Sequence, residues 1–72
     1  MPHIDVSLYP GRSSEVKKEL ARRIVDFFSA DLGFPAETLS VSLTEIEKEK
    51  FAEEMSKRID SGNLVIASEF VK

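Results

Sequence analysis

The sequence of 72 residues has no cysteine and no tryptophan, and it has a single histidine. A chain without cysteine forms neither disulfides nor cysteine-ligated metal sites, and one histidine cannot supply a cage of histidine ligands. The sequence also lacks a phosphate-binding glycine loop and a G-x-S-x-G serine turn. The groups that most enzymes use are therefore missing, and we expect no metal and no organic cofactor.

Charge and hydropathy argue against two classes of partner. Thirteen acidic and ten basic residues give a net charge of −3, and the two signs are interspersed. Nucleic-acid binding requires a basic stripe, whereas the one basic cluster here is typical of a solvated helix face. That cluster consists of Lys17, Lys18, Arg22 and Arg23. No apolar run is long enough to span a membrane, and the N-terminus lacks a signal pattern. We expect a cytoplasmic protein that binds neither nucleic acid nor membrane.

The length of the chain predicts one domain over residues 1–72, with little core of its own. A domain this short buries only roughly 60% of the surface that its unfolded chain exposes. Yet 42% of its residues are hydrophobic, and no disulfide is available to stabilise it. Association with copies of itself is the simplest source of additional buried surface, so we expect a homo-oligomer.

Alternating hydrophobicity predicts two strands, at residues 3–9 and 39–44. Pro10 and Gly11 end the first strand, because proline cannot donate to a sheet and glycine accepts positive φ. Between the strands, apolar residues recur at helical spacing up to Leu32, after the N-cap Ser13 and before a stop at Gly33. The order strand, helix, strand predicts an α/β (α+β) fold of β-α-β type with parallel strands.

The C-terminal third of the chain predicts two shorter elements. Phe51, Met55 and Ile59 are four residues apart, which indicates a short amphipathic helix. A turn at residues 60–63 separates it from an apolar run at residues 64–67, which predicts a short third strand.

Because one helix covers one face of two strands, we expect a partner subunit to extend the sheet or to cover its other face.

Pro2 directly follows the initiator methionine, and its small side chain normally allows that methionine to be removed. Removal would leave a basic secondary amine in place of a non-basic amide nitrogen. The proline is accompanied by a P-x-I-x-V start, "GRS" at the helix entrance, "VSLTEI" as the second strand, and Phe51 beyond it. Over residues 2–51 the chain thus resembles the 4-oxalocrotonate tautomerase-like family of the tautomerase superfamily. Its "MPHID" start and longer C-terminal segment are similar to those of a dimeric subgroup.

The resemblance implies a fold and an activity. The family interconverts keto and enol forms of small 2-oxo acids without a cofactor, and its terminal proline amine is the general base, so we expect Pro2 to be catalytic. Arg12 matches the arginine that binds the substrate carboxylate, a task that suits the paired donors of a guanidinium. Phe51 matches the aromatic residue that lines the pocket, where apolar surroundings disfavour the charged form of an amine.

Ser40 and His3 are further candidates for substrate binding. The best-known members carry a second arginine in the second strand, which polarises the substrate carbonyl. Counting from Pro2, that position is Ser40, which can donate a hydrogen bond but brings no charge. His3 lies beside Pro2 on the opposite face of the strand, where it could tune the site or donate to substrate. We expect a homodimer formed through the sheet, because the C-terminal segment would cap the surface on which dimers stack, with a hexamer as the alternative.

Other interpretations of these residues and of the chain remain open. Phe51 could be only the first apolar contact of a helix, Arg12 a surface residue, and His3 a structural residue. The missing arginine could be replaced by one from a neighbouring subunit, with Arg22, Arg23 and Arg58 as candidates. The same fold could serve a hydratase or dehalogenase, although no carboxylate is clearly placed to activate water. It could also serve a non-catalytic protein whose paired surface binds another protein, which a retained methionine would favour.

Overall fold

The computed structural model describes residues 1–60, 62–69 and 71, and its elements follow the order strand, helix, strand, helix. The elements are β1 (His3–Leu8), α1 (Ser14–Asp26), β2 (Ser40–Glu45) and α2 (Lys48–Arg58). A π-helical turn, Phe27–Asp31, continues α1, and a 3₁₀ turn, Ala36–Thr38, precedes β2. The predicted α+β fold with a β-α-β unit is confirmed.

The two strands pair in parallel, in a register that runs from His3 opposite Ser40 to Leu8 opposite Glu45. Alternation in both strands gives the sheet one apolar face and one polar face. The apolar side chains are half-buried, and α1 packs against β2. Because the described sheet has only two strands, the outer edge of each strand is left unpaired within the described part of the chain.

Local capping explains where α1 begins and where the segment after it ends. The Ser13 hydroxyl accepts a hydrogen bond from the Val16 N–H at 3.2 Å, as predicted for an N-cap. The predicted single helix to Leu32 is instead α1 followed by the π-helical turn. Gly33 then reverses the chain with φ of 83°, and Gly11, between β1 and α1, has φ of 122°. Both glycines have a positive φ, which residues that carry a Cβ disfavour.

The predicted third strand at residues 64–67 is wrong, because the described residues between 62 and 69 form only turns and bends. The Asp60 side chain accepts from the N–H groups of Gly62 and Asn63 at 2.8 and 3.1 Å, which supports the predicted turn there. Ser61, which the sequence placed in this turn, lies outside the described residues. Beyond it Val65 and Ile66 are 91% and 86% exposed. Their β-branched side chains favour a strand, but the described residues provide no neighbouring strand to pair with them.

The core of the described chain is small. Only Ile46 and Met55 are buried among the described residues, whereas Phe27 and Leu32 remain about half exposed. The buried Ile46 N–H donates to the Leu8 carbonyl at 2.9 Å, which joins the ends of the two strands. No helix in the described part of the chain is both long enough and apolar enough to cross a membrane.

Replacement of Ser13 by alanine should destabilise the protein, because the Val16 N–H loses its capping acceptor. The expected loss in the free energy of unfolding is about 1 kcal/mol, measured by urea denaturation at one fixed protein concentration. Ser14→Ala is the matched control, since Ser14 lies inside α1 and its loss should cost less than about 0.5 kcal/mol. Equal losses in the two variants would contradict the assignment of Ser13 as the cap.

Candidate active site

The five predicted site residues lie in two groups at opposite ends of β1. Pro2, His3 and Ser40 lie at its N-terminal end, where the Ser40 N–H donates to the Pro2 carbonyl at 3.3 Å. Arg12 and Phe51 lie at its C-terminal end. The six residues of β1 separate the groups by about 20 Å, at roughly 3.3 Å per residue. A single chain therefore does not bring the five predicted residues together.

Tyr9 organises the group at the C-terminal end. An Arg12 Nη1 donor binds the Tyr9 carbonyl at 3.2 Å. The Phe51 ring packs edge-to-face on the Tyr9 ring, with centroids 5.0 Å apart and an interplanar angle of 89°. The two rings contribute to a cavity of about 430 Å³ that is large enough for a small organic acid. Its described lining comprises Leu8, Tyr9, Lys48, Phe51, Ser68 and Val71.

The N-terminal end of β1 is accessible. Met1 is fully exposed, and Pro2 is half-buried. His3 and Ser40 are also exposed, next to Pro2 and opposite each other in the sheet. Groups at this end can therefore reach a dissolved small molecule.

A hydrogen-bonded chain of side chains runs along the polar face of the sheet. His3 Nδ1 lies 2.6 Å from the Ser40 hydroxyl, and His3 Nε2 lies 2.9 Å from the Ser42 hydroxyl. The Ser42 hydroxyl donates in turn to Asp5 Oδ1 at 2.6 Å, and the Thr44 hydroxyl donates to the same oxygen at 3.0 Å. We call Ser40, His3, Ser42 and Asp5 the polar relay, because each contacts the next in this order.

Arg58 contacts the polar face of the sheet near the middle of β1. Its Nη1 lies 3.8 Å from Asp5 Oδ2 and donates to the Ser7 hydroxyl at 3.4 Å. The hydrogen bond from Ser42 is the main cause that holds the pKa of Asp5 below its usual value. Desolvation raises that pKa to a smaller extent, and the Thr44 hydrogen bond and the Arg58 charge lower it further. Asp5 is thus held as a carboxylate.

Sequence reasoning did not name Tyr9 and Ser42, which contact predicted site residues, or Asp5, which contacts Ser42. Alternation places His3 and Asp5 on one face of β1, and a parallel register can place Ser42 opposite Asp5. The alternation in β1 is visible in the sequence, but the pairing of Ser42 with Asp5 can be predicted only once the register of the two strands is known. The described residues contain no group of three or more side chains placed to hold a metal ion.

Replacement of Asp5 by asparagine should change how stability depends on pH. The folded pKa of Asp5 is lowered, so its carboxylate stabilises the fold above the ordinary value of 3.8, and this stabilisation is lost as pH falls further. The difference in Tm between wild type and Asp5→Asn should therefore be largest above pH 5 and shrink below about pH 4. Asp31→Asn, in the exposed π-helical turn, is the control and should follow the wild-type curve. A difference for Asp5→Asn that stays constant over this range would contradict the assigned role.

Comparison with known proteins identifies the family of the chain. Residues 1–52 match a family model described as tautomerase enzyme. A probable tautomerase of Lactiplantibacillus plantarum is 36% identical over 52 residues, which cover 72% of this chain and 81% of that protein. Probable tautomerases of Bacillus cereus and Bacillus anthracis are 35% identical over 52 residues, covering 72% of this chain and 85% of each relative. The match to the family model includes β1, α1, β2 and the first residues of α2, with Pro2 and Phe51 near its limits. The chain therefore belongs to the tautomerase superfamily, in the 4-oxalocrotonate tautomerase-like family.

Proposed function

We propose that the protein is a tautomerase of small 2-oxo acids, with the amine of Pro2 as its general base. The relatives are named probable tautomerases, which supports this type of activity. The observation that carries the proposal is the position of Pro2, which directly precedes β1 and follows the fully exposed Met1. Removal of Met1 would place a secondary amine at the open end of the sheet.

The proposed reaction moves one proton. The unprotonated amine of Pro2 removes a proton from the carbon next to the ketone, and the electron pair moves onto the carbonyl oxygen. A positioned base of this kind typically accelerates proton transfer by about 10²–10⁴. The guanidinium of Arg12 would hold the substrate carboxylate through paired hydrogen bonds. The rings of Phe51 and Tyr9 would exclude water and so favour the neutral form of the amine.

Under this proposal, a second copy of the chain would bring the two groups together. The edge of β1 that is unpaired in the described chain could pair antiparallel with β1 of another subunit about a two-fold axis at Val6. This pairing would set Pro2 of each subunit beside Tyr9 of the other. Each dimer would then hold two sites, each with Pro2 from one chain and with Arg12 and Phe51 from its partner. The exposed apolar surface and the small core support such an association.

A hydratase or a dehalogenase would need a group that activates water. On β1 the carboxylate is that of Asp5, which already accepts hydrogen bonds from Ser42 and Thr44. This engagement favours proton transfer to and from carbon over water activation. The remaining alternative is a non-catalytic binding protein. It predicts that the protein is inactive even after Met1 is removed.

A mixed-dimer experiment tests both the base and the shared site. Pro2→Ala and Arg12→Ala chains, confirmed by intact mass to lack Met1, are each assayed for tautomerisation of phenylpyruvate. Pro2→Ala should lose activity, and Arg12→Ala should lose most of its kcat/KM. When the two chains are unfolded and refolded together, about a quarter of the sites should be free of both substitutions, and about a quarter of the wild-type activity should return.

A second mixture is the control for the first. Arg12→Ala and Phe51→Ala lie in the same group, so their mixed dimers contain one substitution in each site and should regain no activity. No recovery from the mixture of Pro2→Ala with Arg12→Ala would contradict a site shared between chains. An active Pro2→Ala protein would contradict the role of Pro2 as base, and an inactive wild type that lacks Met1 would favour the non-catalytic alternative.

A further inference from the structure

Counting donors and acceptors shows which group donates in each hydrogen bond of the polar relay. The Asp5 carboxylate has no proton to donate, so the proton of the Ser42 hydroxyl lies between Ser42 and Asp5 Oδ1. The Ser42 oxygen must therefore accept from His3 Nε2, which carries the proton of the neutral ring. His3 Nδ1 is then bare, and it accepts from the Ser40 hydroxyl at 2.6 Å. The contacts thus select one tautomer of His3 and orient the hydroxyl of Ser40.

The open end of this relay lies beside Pro2. The backbone of Ser40 is hydrogen-bonded to the Pro2 carbonyl, and neighbouring strands lie about 4.8 Å apart. The Pro2 nitrogen is a backbone atom at the end of the strand, so it is not confined to one face of the sheet. Ser40 and the Pro2 nitrogen therefore lie at the same exposed end of the sheet.

We propose that Ser40 is a catalytic residue that contacts the substrate's keto or enol oxygen, and that His3 exchanges the proton of that oxygen through the Ser40 hydroxyl. Ser42 and Asp5 are positioning residues that hold His3 in the required tautomer. This inference rests on the proposed function, because it assumes that Pro2 exchanges the proton on carbon. It assigns residues that exchange the proton on the substrate oxygen, a task that Pro2 does not perform because it exchanges the proton on carbon.

The step balances in the direction from enol to ketone. The protonated amine of Pro2 gives its proton to carbon, and the electron pair of the carbon–carbon double bond forms the new C–H bond. The O–H bond of the enol breaks as its proton passes to the Ser40 oxygen, and the original Ser40 proton passes to His3 Nδ1. The pair left on the substrate oxygen forms the C=O bond. Water then returns a proton from His3 to Pro2, and the opposite direction runs through the same transfers in reverse.

The charges around His3 agree with this role. When Nδ1 gains a proton, Nε2 continues to donate to Ser42, so the contact that positions the ring is kept. The Asp5 carboxylate at the end of the relay attracts the positive charge of the protonated ring. The Arg58 guanidinium lies on the far side of Asp5 and opposes that attraction in part. The relay can thus receive a proton without rearrangement of its partners.

The tautomer can be measured apart from activity, because His3 is the only histidine in the chain. Nitrogen chemical shifts of the imidazole in ¹⁵N-labelled protein should show the Nε2–H tautomer for the neutral ring. Ser42→Ala should abolish this preference, because it removes the acceptor of the Nε2 proton. An Nδ1–H tautomer in the wild type would overturn the relay, whatever the activity of the protein.

Kinetics of single variants test the catalytic role of Ser40. Ser40→Ala and His3→Gln should each lower kcat for phenylpyruvate by about 10- to 100-fold, with KM changed less than about 3-fold. Ser40→Thr retains the hydroxyl and should recover most of the kcat, which separates loss of the hydroxyl from loss of folding. Ser7→Ala is the matched control on the same face of β1, and its kcat should equal that of the wild type.

The outcomes distinguish this inference from the function on which it rests. If the wild type is active and Pro2→Ala is not, while Ser40→Ala and His3→Gln keep the wild-type kcat, the relay is wrong and the proposed function stands. If the wild type without Met1 is inactive, both proposals fail. Loss of kcat in both relay variants, with recovery in Ser40→Thr, supports the relay.

Discussion

The strand β1 is the constraint on which the proposed site depends, because it holds the two groups of site residues about 20 Å apart. Pro2, His3 and Ser40 are fixed at one end by the parallel pairing with β2. Arg12 and Phe51 are fixed at the other end by their contacts with Tyr9. A two-fold axis at the middle of β1 would bring the N-terminal end of each strand next to the C-terminal end of the other. One pairing of two chains would therefore complete two sites.

The same pairing would meet the need for stability. The described chain buries only Ile46 and Met55 and leaves several large apolar side chains open to solvent. A domain of this length gains little from its own core, and a second subunit would add the missing buried surface. Catalysis and folding would then depend on one interface, and a change that separates the subunits would weaken both. The polar face of the sheet would keep a separate task, since its side chains hydrogen-bond to one another along the strands.

The sequence predicted the parts of the fold that local chemistry determines. Alternation located both strands, and the cap at Ser13 and the stop at Gly33 follow from hydrogen bonding and from φ at single residues. The third strand failed because pairing is not a local property, and residues 64–67 have no neighbouring strand in the described chain. Pro2, Arg12, Phe51, Ser40 and His3 were named from the sequence, but their division into two groups requires the length and direction of β1. The link from His3 through Ser42 to Asp5 requires the register as well.

The antiparallel pairing of β1 between subunits can be observed directly by isotope-filtered NMR. Dimers are prepared from one ¹³C-labelled chain and one unlabelled chain, and nuclear Overhauser effects between labelled and unlabelled protons are recorded. Within one chain Pro2 and Tyr9 are about 20 Å apart, too far for such an effect, so a cross-peak between them must arise between subunits. The proposed site predicts cross-peaks from the Pro2 ring protons of one chain to the Tyr9 and Phe51 ring protons of the other. Contacts between subunits that leave Pro2 without these cross-peaks would contradict it.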